Sequence, residues 1–332
     1  MAEGDDYTPA PWAAKHDFTA ARKTYDAHAG RSYADASASK VSSSNLVPAR
    51  IETKSTHPLI IRCDVSGSMG GWPNTIFSKL PYLEHEVRTE YLGDDAEISF
   101  GAIGDTGDSY PLQIQPFTIG EAMKTSLTSL IIEGGGTGPG SCCEAYAVAA
   151  LYDARNVRFP KSAGKPPYII IGDEKPYHTV GKNEALNFAK ATMEESRLSA
   201  EQIFTELRDR YSVYLILKPY GGESLSGDEL PRVTKDVYDR WVEILGADRI
   251  ALLDDPGRVV DVIFGLLAKE SDRIDYFRDE IEGRQNPDQV GTVYKSLFTV
   301  HGGRTRGSTK RGASRLHTPT GGTKSKSPLD KK

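Results

Sequence analysis

Short apolar runs alternate with amphipathic stretches through the middle of this 332-residue chain, and that alternation restricts its fold more than any other feature. "PLIIRCDV" is a strand-length apolar run, and a helical pattern from Thr75 to Leu92, interrupted by Pro81, follows it. "AEISFGAIGD" and "YPLQIQPF" are separated by too few residues for a helical crossover, so they are expected to pair as an antiparallel hairpin. "GEAMKTSLTSLI" reads as helix, and the loop "EGGGTGPGS" leads into a second helix, "CCEAYAVAALYDARN". The strands "PYIIIGDE", "SVYLILKP" and "RIALLDD" then alternate with helices between Asn183 and Arg210, over "RVTKDVYDRWVEILG" and over "PGRVVDVIFGLLAKE". Uniformly apolar strands alternating with helices imply an α/β fold: an open, mostly parallel six-stranded sheet with one antiparallel edge strand and helices on both faces.

Composition divides the rest. Residues 1–54 are rich in Ala, Ser, Asp and Lys and are expected to form a polar, partly disordered N-terminal extension. Residues 55–270 carry the alternating pattern, and 271–300 are expected to form a helical extension packed on it. His301–Lys332 has nine Lys or Arg against one acid, Asp330, and almost no apolar residues, so a basic disordered tail is expected there. Net charge is −5 overall and +8 in that tail, which leaves −13 on the remainder. Three cysteines (Cys63, Cys142 and Cys143) make no disulfide framework. With no basic-then-apolar start and no apolar run of about 18 residues, a cytoplasmic protein is expected.

In open α/β sheets, ligands bind beyond the carboxyl ends of the strands. Three polar segments fall at that edge. Asp64, Ser66 and Ser68 follow the first strand at alternate positions, Thr137 lies in the glycine loop, and Asp173 closes "YIIIGD". All five offer oxygen, and oxygen-only sites suit Mg²⁺, Mn²⁺ or Ca²⁺ rather than zinc or copper.

D-x-S-x-S after an apolar strand, a Thr in "GGGT" and an Asp ending a later strand together resemble the metal-ion-dependent adhesion site (MIDAS) of von Willebrand factor type A (vWA) domains. The resemblance spans about His57 to Glu270 and makes residues 55–270 a vWA domain with a Rossmann-like sheet. It implies that Ser66, Ser68 and Thr137 touch a divalent ion, most often Mg²⁺, while Asp64 and Asp173 hold hydroxyls and waters around it. It also implies a non-enzymatic protein-interaction module, whose ion captures an Asp or Glu of a partner protein. An ATPase of the AAA+ class is one such partner by resemblance. Where many members have Asp-Gly, this chain has Asp173-Glu174, which adds a carboxylate beside the site.

Two other readings stand beside this one. "SGSMG" nearly matches the G-x-S-x-G nucleophile turn, with Ser66 replacing the first glycine and His178 available as a base, so a serine or metal-assisted hydrolase could use the same edge. The basic tail could instead make the protein a nucleic-acid-associated scaffold, although its lack of aromatic residues argues against base stacking. Cys142 and Cys143 are expected to open a helix, Asp105 and Asp108 to rim the site or shape a turn, and "PYGGESLSGDELP" to form a polar loop at the same end.

Overall fold

The computed structural model describes residues 46–80, 83–132, 142–225 and 229–300. The expectations for the N-terminal 45 residues, the basic tail from 301 and Thr137 lie outside the described residues.

Six strands form the central sheet: β1 (Leu59–Asp64), β2 (Ile98–Ile103), β3 (Leu112–Ile114), β4 (Pro167–Gly172), β5 (Ser212–Leu217) and β6 (Ile250–Leu252). Their order across the sheet is β6-β5-β4-β1-β2-β3. Every neighbouring pair is parallel except β2–β3, the hairpin at the edge, where Gly101 faces Ile114 and Ile103 faces Leu112. The expected architecture is therefore the observed one, a Rossmann- and vWA-like α/β fold.

β1 is buried along its whole length because both of its faces are covered. Leu59, Ile61 and Cys63 join one core with α1 (Trp72–Lys79), α2 (Glu121–Thr128) and α6 (Val259–Ser271). Ile60 joins the opposite core with α3 (Tyr146–Asn156), α4 (Ala200–Arg210) and α5 (Arg232–Leu245). α6 is apolar almost all round because the sheet covers one side, while α7 (Ile274–Arg284) and α8 (Pro287–Leu297) cover the other. Gly265 lets α8 approach, since a Cβ there would collide with Leu297. Local sequence starts these helices. Ser199 and Gln202 form a capping box on α4, and Asn286 caps α8 with Pro287 at its first position.

One buried ion pair ties the sheet to α3. Arg62 Nε and Nη2 donate to the two Asp153 carboxylate oxygens at 2.8 and 2.7 Å, and Nη1 donates to Ser99 O. Tyr168 Oη donates to Asp153 Oδ2 at 2.8 Å, so a charge pair with no solvent exposure is almost fully hydrogen-bonded. Gly101 faces Arg62 across the strand pair, and a Cβ there would lie 2.8 Å from Arg62 Cδ.

The structure departs from expectation just before α3. Cys142 and Cys143 do not open the helix. Cys143–Glu144 instead forms a short parallel pairing with Lys175–Pro176, and the helix begins at Tyr146. Extended backbone here satisfies the segment that follows β4, which a helix could not reach.

Candidate polar site at the carboxyl edge of the sheet

β1, β4 and β5 are adjacent and parallel, so Asp64, Asp173 and Lys218 leave the sheet side by side. Asp64 is the last residue of β1 and has no solvent exposure. Its Oδ1 accepts the Ser66 backbone N–H at 2.8 Å, and its Oδ2 accepts the Tyr146 hydroxyl. The Ser66 and Ser68 hydroxyls lie 3.2 Å apart, and Ser68 Oγ donates to Asp173 Oδ1 at 2.8 Å. Four of the five residues singled out in the sequence therefore meet in one cluster. Asp173 is also fully buried, and its Oδ2 accepts Lys218 Nζ at 2.7 Å.

Lys218 is the residue the motifs did not reveal. It follows β5 directly, and its backbone N–H bonds Gly172 O. Its ammonium donates to Ser68 O (3.0 Å), Pro219 O (2.9 Å) and Gly221 O (3.0 Å) as well as Asp173, so three protons are shared among four oxygens. Trp72 places its ring centroid 5.9 Å away. The signal available in the sequence was a lysine closing the apolar run "VYLIL", where an unpaired charge is as costly as the aspartates ending "LIIRCD" and "YIIIGD".

The expectation of a divalent ion is corrected by this geometry. Among the described residues, no group of three or more His, Cys, Asp or Glu side chains is placed to hold a metal. Mg²⁺, Mn²⁺ and Ca²⁺ each need several oxygens turned towards one point. Here Ser68 and Asp173 point at each other and at an ammonium, while Asp64 is turned towards Tyr146 and the Ser66 amide. The positive charge that Asp173 requires comes from within the chain.

Tyr146 reaches Asp64 through a gap that Gly172 provides. A Cβ at position 172 would overlap the Tyr146 hydroxyl and lie 2.8 Å from its Cζ. The ring packs edge-on against Trp241 at 5.4 Å, and Trp241 Nε1 donates to Glu174 O at 2.8 Å. Gly172→Ala is expected to lower stability by ~1–3 kcal/mol through overpacking, with part of the loss recovered when Tyr146→Phe is added. Urea unfolding measures this, and an unchanged midpoint for Gly172→Ala would disprove the fit.

Carboxyls crowd the surroundings. Burial first, and Asp173 second, push Asp64 up to about 7. Burial and Asp173 likewise raise Glu174 to about 7, partly offset by a hydrogen bond from Ser68. Glu174 thus stays inside the cluster rather than projecting from it, and it is buried. Asp105 and Asp108 brace their own turn. Asp108 Oδ2 accepts the Asp105 N–H at 3.0 Å, and Asp105 Oδ1 accepts Gly107 N–H and Tyr177 Oη, both at 3.0 Å. The start of the "PYGG" loop wraps Lys218, and Glu223 accepts the Thr234 hydroxyl and amide.

No protein-family model matches the sequence, and comparison with curated proteins gives no match. Among solved structures, the chain is similar to the pilus adhesin SpaC from Lactobacillus rhamnosus GG in its open conformation. Identity is 12% and the TM-score 0.46, over 68% of this chain and 30% of that one. It is also similar to proximal thread matrix protein 1 from the mussel byssus, at 12% identity and a TM-score of 0.41, over 66% and 48% of the two chains. The SpRpn10 VWA domain is matched at 11% identity and a TM-score of 0.34, over 62% of this chain and 94% of that one. The chain therefore spans less than half the length of the first two proteins. Likenesses this distant carry no argument of their own, and the vWA-like assignment rests on the strand order and the parallel registers. No helix among the described residues is long and apolar enough to cross a membrane.

Proposed function

We propose that this chain is a protein-interaction module of vWA-like fold whose binding edge is organised by the Lys218 ammonium and works without a divalent ion. The observation that supports this reading is the bonding of Lys218 to Asp173 and to three backbone carbonyls of the loops that form the edge. A lysine so bonded fixes those loops while leaving no free cation, so a partner's Asp or Glu has no ion to capture here. Recognition falls instead to the rim. The half-buried aromatics Trp72 and Tyr220 stand beside the exposed glycines Gly70, Gly71, Gly221 and Gly222, and Trp and Tyr are the side chains that most often dominate interface energy. An ATPase of the AAA+ class is the partner that the resemblance of the motifs suggests testing first.

Serine catalysis at this edge is the weaker reading. Ser68 donates to a carboxylate that already holds a lysine, and Ser66 faces Ser68, so among the described residues neither hydroxyl is hydrogen-bonded to an imidazole.

Gly71 offers a direct test. It is exposed, has φ −79°, and a Cβ there meets nothing within 4 Å, so Gly71→Arg adds bulk to the rim at little cost to the fold. Partners captured on the wild-type protein are expected to be the same in Mg²⁺ and in EDTA, and to be lost on Gly71→Arg. Capture that requires Mg²⁺, or that survives Gly71→Arg unchanged, counts against the proposal.

A further inference from the structure

A second site lies beside this edge, in a cavity of about 640 Å³ between the turn after β2 and the antiparallel pair Thr179–Gly181 and Arg197–Ser199. That volume is within the range of sites for small ligands. Three cationic or titratable side chains line it: His178, Lys182 and Arg197. All three are exposed, and none is paired with a carboxylate among the described residues. Arg197 Nη1 donates only to Thr179 Oγ1, at 3.3 Å. The acid in the lining, Glu184, is already engaged, since its Oε2 accepts the Gly181 N–H at 2.6 Å. Ser196 adds a further hydroxyl.

The wall is held by backbone bonds, Lys182 N–H to Ser196 O (3.0 Å) and Ala200 N–H to His178 O (2.9 Å), in addition to the strand pairing. The residues that carry these side chains therefore sit on a preformed wall, which does not depend on a ligand to assemble it. Their setting makes them stand out. Outside His301–Lys332 the chain carries a net −13, and most of its described Arg side chains are committed to carboxylates or carbonyls. Two unpaired cations, Lys182 and Arg197, in a concave site on an acidic body favour an anion over a neutral or cationic ligand.

We propose that this cavity binds a small phosphate ester carrying at least two negative charges, of about the size of a nucleoside diphosphate. Arg197 supplies a planar fork that matches two phosphate oxygens, and Lys182 supplies a point charge. His178, Thr179 and Ser196 supply further hydrogen-bonding groups, and the volume left beyond the phosphates accommodates the esterified group. The site is independent of the interaction edge proposed above, because neither Lys218 nor Trp72 lines it.

Calorimetric titration of the full chain with ADP and with inorganic pyrophosphate tests the assignment. ADP is expected to bind, more tightly than pyrophosphate, and to weaken as salt is raised. Arg197→Glu combined with Lys182→Glu is expected to weaken ADP by at least ~10-fold, whereas Arg278→Glu on the distant α7 leaves it unchanged. Circular dichroism of the double variant separates lost binding from lost folding, and Arg197→Gln with Lys182→Gln, which removes the charges but keeps polar side chains, gives the same loss in a milder background. No heat with ADP at millimolar concentration, equal or tighter binding of pyrophosphate, or undiminished binding by the charge-reversed protein would each overturn the proposal.

Discussion

Replacing Lys218 with methionine is expected to destabilise the protein by ~3–5 kcal/mol, the range for removing one partner of a buried ion pair. Methionine keeps the unbranched apolar stem of the side chain but takes the ammonium away from Asp173, which has no solvent exposure, and from three carbonyls. Asp173 would then face the Asp64 carboxyl with no cation between the strand ends. Adding Asp173→Asn should recover much of the loss, because the buried charge disappears with its partner. The coupling between the two changes, read from urea unfolding of both single variants and the double, is the quantity that matters. A ligand that binds only the folded state raises stability with the logarithm of its concentration above Kd, so with an ammonium in place of an ion the wild-type midpoint is expected to be the same in Mg²⁺ and in EDTA. A loss below ~1 kcal/mol for Lys218→Met, a double variant no better than the single, or a midpoint raised by Mg²⁺ would remove the ammonium from its assigned role.

How much of this was legible in the sequence follows from what a motif can carry. Strand alternation implied the parallel sheet and its antiparallel edge, since buried parallel strands have a distinctive apolar signature and a hairpin too short for a crossover must be antiparallel. That β1, β4 and β5 are neighbours came only from the structure. The meeting of Asp64, Ser66, Ser68 and Asp173 followed, because each sits where a strand ends. What the motif could not carry was the partner of each oxygen. Lys218 lies 150 residues from Ser68, and nothing local marks a lysine that will turn inward. Tyr146 was hidden for a related reason. Its route to Asp64 depends on an absent side chain at Gly172 and on a strand at Cys143–Glu144 that sequence pattern assigned to a helix. Oxygen-rich strand ends identify a place where a cation is needed, and both a metal ion and an ammonium meet that need. Only the packing distinguishes them.

The same crowding predicts an unusual pH dependence through Glu144. This residue is buried in the short pairing with Lys175–Pro176, and its Oε2 has no hydrogen-bond partner among the described residues. Burial first, then Asp64, Glu174, Asp105 and Asp108, push its carboxyl from 4.5 up to about 11. Between those two values the folded protein holds a proton that the unfolded chain releases, so stability falls as pH rises through that window, by up to ~1.4 kcal/mol per unit. Glu144→Gln has the shape of the protonated acid at every pH. The variant is expected to match the wild type near pH 5 and to exceed it by ~2–4 kcal/mol near pH 9, a margin below the full linkage value because neighbouring carboxyls share the titration. Unfolding midpoints across that range measure the difference. Parallel curves for the two proteins, or a glutamine variant weaker than wild type at pH 9, would show that Glu144 is ionised in the fold. The sign is opposite to that of a carboxylate stabilised by a salt bridge or a bound metal, whose stabilising effect grows as pH rises from its lowered folded value to the unfolded value and is fully present above it. A wild-type protein that loses stability towards alkaline pH, and regains it on Glu144→Gln, therefore has more carboxylates at its sheet edge than cations to hold them.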